Sequence, residues 1–122
     1  MNEFDPNIPI YIQIMNMIKQ DIVSGKMKPG DKLPSVRELA ETLSVNPNTV
    51  QRVYQELERE GVSETRRGTG TYIAENDQLI PALRSEMAKS VMEKFIAGMR
   101  SLGLTDDEIV AEIKRKIAGG TH

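Results

Sequence analysis

Asparagine, glutamine and arginine repeated at helical spacing can read nucleic acid, and one stretch of this 122-residue chain concentrates them. Asn48, Arg52, Gln55 and Arg59 fall on one side of a helix, opposite Val50, Val53, Tyr54 and Leu57. Arginine can bond guanine O6 and N7 bidentately, and asparagine or glutamine can do the same for adenine N6 and N7. On an isolated helix, such a face is an ordinary solvated surface. Its neighbours tip the balance here. A short capped helix precedes it, and Arg67-Gly68-Thr69-Gly70 follows it as a basic, glycine-rich tip. Arg66 and Arg67 beside that tip can meet phosphates or enter a minor groove. The G-x-G within it is too short for a nucleotide fingerprint, and no G-x-G-x-x-G or Walker pattern appears.

The elements that must position these residues are legible. Ser35 and Glu38 make an S-x-x-E capping box, and Val36, Leu39, Ala40 and Leu43 then give one apolar helical face. Ser44-Val45 ends that helix. Asn46 is an N-cap and Pro47 the first helical residue of the next, which Gly61 stops. Residues 62–66 and 71–74 are rich enough in β-formers to pair as a hairpin around the tip. Helix, turn, helix and basic hairpin is the order of a winged helix-turn-helix. An earlier helix from about Pro9 to Val23 should supply the core behind it. Its stripe is Ile10, Ile14, Met17, Ile18 and Ile22, widened by Tyr11 and Met15, with the methionines as core filler. Gly25 and the Lys28-Pro29-Gly30-Asp31 turn end it.

These residues resemble the winged-helix domain of the GntR transcriptional regulators. The likeness rests on Leu33-Pro34-Ser35, Arg37-Glu38-Leu39-Ala40, Val45, Asn48-Thr49-Val50, Arg52, Tyr54, Leu57, Gly61 and Gly68-Thr69-Gly70-Thr71-Tyr72. The opening Pro9-Ile10-Tyr11-Ile12-Gln13-Ile14 is similar to the family's P-x-Y-x-Q-[IL] start, and Ile22-Val23-Ser24-Gly25 and Pro29-Gly30-Asp31-Lys32 continue it. The short helical tail is similar to that of the YtrA-like subgroup. The resemblance implies a bacterial, sequence-specific DNA-binding transcriptional regulator, a repressor occluding a two-fold operator as a dimer. Arg37 and Arg52 are the expected base or near-base contacts. Ser35, Asn48 and Thr49 are expected to hold phosphates through hydroxyl, amide and helix N-terminal donors. Gln51 is a candidate specificity position, because its counterpart varies across the family. Arg67, Gly68, Thr69 and Gly70 would present the wing to the minor groove.

The expected fold is mainly α with a small β-hairpin. A winged helix-turn-helix domain should span residues 1–75, and a two-helix C-terminal dimerisation tail residues 76–122. Glu75-Asn76-Asp77-Gln78 reads as the linker. Leu83, Met87, Val91, Phe95, Met99 and Leu102 form a stripe on the longer tail helix, which Gly103 stops. Thr105 and Glu108 cap the shorter helix, whose face is Ile109, Val110, Ile113 and Ile117. Lys114-Arg115-Lys116 suits the negative end of that helix dipole. Two such helices cannot build a sizeable core alone. Their apolar faces, with Leu83 to Leu102 and Ile109 and Ile113 as interface residues, are expected to meet a second copy.

A net charge of −2 runs against nucleic acid, but Arg37, Arg52, Arg59, Arg66 and Arg67 cluster where docking is proposed. The overall charge predicts weak non-specific binding. With no cysteine and one histidine, His122 at the last position, nucleophilic catalysis has no foothold. Asp106, Asp107 and Glu108 are explained by capping rather than by a metal, and no cofactor is expected. No apolar run is long enough to span a membrane. The polar start MNEFDPN is not a secretory signal, and the absence of cysteine fits a cytoplasmic protein. The expected partners are double-stranded operator DNA and a second copy of the chain. The competing classes are a winged-helix adaptor that meets protein, and a small-molecule-sensing regulator. The latter would need a pocket in the tail, and too few polar residues converge there for one to be expected.

Overall fold

The computed structural model describes residues 4–119; His122 and the first three residues of the polar start lie outside them. The described residues form α1 (Ile10–Ser24), α2 (Val36–Leu43), α3 (Pro47–Arg59), β1 (Ser63–Arg66), β2 (Gly70–Ile73), α4 (Leu79–Ser101) and α5 (Asp106–Ala118). This is the expected class, mainly helical with one antiparallel hairpin. No helix among the described residues is long and apolar enough to cross a membrane.

Contacts divide the chain into two compact units, one ending at Leu83 and the other beginning at Arg84. The first unit continues past the polar residues 75–78 because Leu79 and Leu83 are buried in its core. That core is built around Ile14 and Ile22 of α1, Val50, Val53 and Leu57 of α3, and Ile73 of β2, all buried. The inward face expected for α3 is therefore the one observed. The α1 stripe is rotated from the expected one. Ile10 and Met17 are exposed, while Met15 and Lys19 are buried. Only Met15 of the methionines in α1 acts as core filler. Lys19 is tolerated inside because its ammonium donates to Glu60 Oε1 at 2.7 Å, tying α1 to the end of α3. At the other end of α1, Gln13 donates to the carbonyls of Asp5 and Ile8 and accepts from Asp5 N, each at 2.8 Å. One side chain thus fastens the segment that leads into the helix.

The hairpin pairs Ser63 with Ile73, Glu64 with Tyr72, Thr65 with Thr71 and Arg66 with Gly70. Its second strand has a further partner on the opposite edge. Gly30 N donates to Ile73 O, Ile73 N to Asp31 O and Leu33 N to Thr71 O, each at 2.8 Å. Lys32 and Tyr72 form the bridge between them. The segment read from sequence as a plain turn thus continues into an extended strand partner. No local periodicity announces that pairing, because its partner lies forty residues away in sequence.

Within the second unit, α5 opens on the expected capping box of Thr105 and Glu108. Asp106 accepts from Arg100 at 3.0 and 3.1 Å. The acidic first turn is thus engaged by a cap and an ion pair. Arg115 pairs with Glu112 in the last turn.

Candidate nucleic-acid interface

Three pieces of the first unit carry the residues read for a nucleic-acid contact: the start of α2, helix α3 and the wing. The capping box at α2 is complete: Glu38 N donates to Ser35 Oγ at 3.1 Å, and Ser35 N to Glu38 Oε1 at 2.8 Å. Ser35 Oγ acts as acceptor there, so its own O–H is still available to donate. The same main-chain N–H of Ser35 is the chief reason the Glu38 carboxyl lies below the usual range. Arg37 follows, exposed, with no ion pair among the described residues. Ser44 ends α2 in the left-handed region at φ 57, and α3 begins almost at once.

Tyr54 sets the position of α3 relative to the start of α2. Its hydroxyl donates to Pro34 O at 2.6 Å, and burial, followed by the charge of Glu38, pushes the phenol pKa well above its ordinary value. Asn46 caps α3 by accepting from Asn48 N at 2.7 Å. Thr49 N is engaged by Asn46 O at 2.9 Å, and Pro47 has no N–H. The main-chain donors expected to hold phosphate at this helix start are therefore already occupied. Any phosphate role for Asn48 and Thr49 falls to the exposed Asn48 amide and the half-buried Thr49 hydroxyl.

Asn48, Gln51, Arg52, Gln55 and Arg59 are all exposed on α3, as the spacing required. They are not equivalent. Arg59 is held by Glu56 at 3.0 and 2.5 Å, which offsets its charge. Arg52 has its guanidinium 3.7 Å from the centroid of the Tyr11 ring, a cation–π contact with α1. Tyr11 packs half-buried against the core, as its place in the widened stripe implied, and also braces Arg52.

The wing is fastened to α3 by Thr65 Oγ1, which donates to Glu58 Oε1 at 2.6 Å. At its tip, Thr69 donates to Arg66 O through both N and Oγ1, each at 3.0 Å. Gly68 takes φ 79, the positive value this turn requires at its second central position. The Thr69 hydroxyl therefore closes the turn. Arg66 pairs with Glu64 and Glu75 at 3.2 and 3.3 Å and lies over the Tyr72 ring. Arg67 is exposed and has no such partner among the described residues. Of the five arginines grouped from sequence, Arg59 and Arg66 are paired with carboxylates, while Arg37, Arg52 and Arg67 have no ion pair among the described residues.

The tail residues behave differently from one another. Leu83 is buried within the first unit's core, so it is withdrawn from the stripe read for a second copy. Ile109 is buried as well. Met87, Met99 and Ile113 are half-buried, while Val91, Phe95 and Leu102 are exposed at 68%, 40% and 75%. A groove of about 350 Å³ lies between α4 and α5, lined by Phe95, Met99, Glu112, Ile113, Lys116 and Ile117. The tail thus has a pocket, although few polar residues were expected to converge there, and its lining is mostly apolar.

The description "Bacterial regulatory proteins, gntR family" matches residues 10–73. The HTH-type transcriptional regulator YhcF of Bacillus subtilis is 47% identical over 119 residues, spanning 98% of both chains. The HTH-type transcriptional repressor YtrA of the same organism is 42% identical, spanning 98% of this chain and 97% of its own. Among solved structures, a GntR family transcriptional regulator from Listeria monocytogenes superposes with a TM-score of 0.82 at 46% identity, covering 93% of this chain and 99% of that one. The DNA-binding domain of AraR, solved with operator ORX1, covers 61% of this chain and 90% of its own, at a TM-score of 0.53 and 27% identity.

Proposed function

Since the chain belongs to the gntR family of bacterial regulatory proteins and is a DNA-binding transcriptional regulator, we propose that it is a homodimeric cytoplasmic repressor of a two-fold operator. Each protomer would lay α3 in a major groove and its wing in the adjacent minor groove. Arg37, Gln51 and Arg52 would meet base edges, with Ser35, Asn48 and Thr49 on phosphates and residues 67–70 at the wing. The observation that carries the two-fold part is the second unit. Its helices leave Val91, Met92, Phe95, Leu102, Val110 and Ile117 exposed. A row of that kind is costly in water and fits a self-complementary contact with its own copy. The likeness to a relative named as a repressor supports the sign of regulation.

The test is selection of bound duplexes from a random pool by the full chain, followed by sedimentation equilibrium with and without the selected site. The expected result is a palindromic site with half-sites about one helical turn apart, or a multiple of it, and two chains per duplex. A single half-site bound by one chain would reject the two-fold reading. Transcription from a promoter carrying the selected site should fall when the protein is added; a rise would reverse the proposed sign.

A further inference from the structure

Lys32 joins the wing to the start of α2. It lies on the extended segment that pairs with β2 and bridges to Tyr72. Its stem runs across Gly70 so closely that a Cβ at Gly70 would lie 2.7 Å from Lys32 Cε and 3.5 Å from Nζ. Gly70 also holds φ +134, a conformation side chains disfavour. The missing side chain at Gly70 therefore serves the backbone first, and the flexible end of Lys32 rests in the space it leaves. On its other side the segment leads into the Ser35 cap of α2. The residue thus lies between the wing, at Gly70, and the start of α2, three positions before its Ser35 cap. It is exposed, and among the described residues it has no ion pair.

On a duplex, a sugar–phosphate backbone separates each major groove from the adjacent minor groove. A protein with a helix in one and a wing in the other must face that backbone with the surface between them. We propose that Lys32 is a further DNA contact, binding a phosphate of the strand between the groove read by α3 and the groove entered by the wing. This inference rests on the docking described above. Lysine suits the position as a compact point charge that needs no fixed fork geometry. Such a contact carries no base preference of its own.

The test titrates the full-length chain with the selected duplex and with a random-sequence duplex across a range of salt. Lys32→Met keeps the stem and removes the charge. Binding of both duplexes should weaken severalfold, and the slope of log affinity against log salt should shrink by about 0.9 per protomer. Lys32→Arg should keep the wild-type slope. The thermal midpoint of Lys32→Met should match the wild type, since strand pairing and stem packing are retained. A Lys32→Met protein with the wild-type slope overturns the proposal even if its affinity drops, because a purely structural role would act that way. Arg67→Ala separates the two levels of inference. If it shrinks the slope and Lys32→Met does not, Lys32 alone is misassigned. If neither changes the slope, the docking fails and the Lys32 contact with it.

Discussion

Removing the Arg52 side chain should cost roughly 1–3 kcal/mol at a preferred site and relax base preference at one position per half-site. Its stacking on Tyr11 at 3.7 Å gives this variant a second, smaller effect on folding. An exposed cation–π contact contributes about 0.5–1 kcal/mol, so the thermal midpoint should drop slightly while the helix stays formed. Repeating the selection with Arg52→Ala checks the main effect, and lower affinity with unaltered preference would make Arg52 a phosphate contact. Tyr54 offers a residue-scale test of the scaffold. Its phenol is protonated and bonded to Pro34 O in the folded state, and its folded pKa lies above the ordinary value of 10.0. The stability it provides is therefore complete below about pH 10 and is lost as pH rises toward the folded value. Tyr54→Phe should lose about 0.5–1.5 kcal/mol at neutral pH with the hydrogen bond. It should also unfold less steeply than the wild type above pH 10 in urea titrations at a series of pH values. Parallel alkaline limbs would mean the phenol is not the group responsible.

At the scale of the element, the wing is part of a sheet as much as a loop. β2 is paired on both sides, with β1 and with residues 30–33. That gives a short hairpin the support it needs, since two isolated strands are marginal in water. Gly70→Val should damage this element beyond what its size suggests. It imposes a side chain at φ +134 and pushes into the Lys32 stem. We expect a loss of about 1–3 kcal/mol in folding stability from the backbone conformation alone, measured by chemical denaturation. Binding to every duplex should weaken as well, and binding and stability equal to the wild type would show that neither the conformation nor the stem matters. The capping boxes at Ser35 and Thr105 needed no such context, because the residues that make them lie three apart in sequence.

For the whole molecule, the decisive prediction concerns the second unit. Phe95 lies mid-stripe on α4 and lines the groove with Met99 and Ile113. If that surface meets a second copy, Phe95→Asp places an unpaired carboxylate in a desolvated contact. Association should weaken by roughly several kcal/mol, while the first unit, with its separate core, remains folded. Affinity for a complete operator should then collapse toward that for one half-site, because the linked second binding event is lost. Sedimentation equilibrium of both proteins, with titration of whole and half sites, measures this. A wild type that is monomeric at micromolar concentration and indifferent to half-site pairing would defeat the prediction.

Local information alone determined much of this protein. Helix limits, both capping boxes, the outward face of α3, the inward set of Val50, Val53, Tyr54 and Leu57, and the hairpin were legible because each depends on residues a few positions apart. The family was legible because its motif residues are themselves these caps, turns and faces. Part of the pairing that offsets charge is itself local: Glu56 lies three residues before Arg59 on α3, and Glu64 two before Arg66 on β1. Tertiary structure added Glu75, which reaches Arg66 from beyond β2. It also decided that Lys19 is buried, that Tyr11 braces Arg52, that Leu83 belongs to the first core, and that Lys32 crosses Gly70. These outcomes turn on where side chains from distant elements end up. A single helical period says which face a residue is on, but not what another element brings to that face.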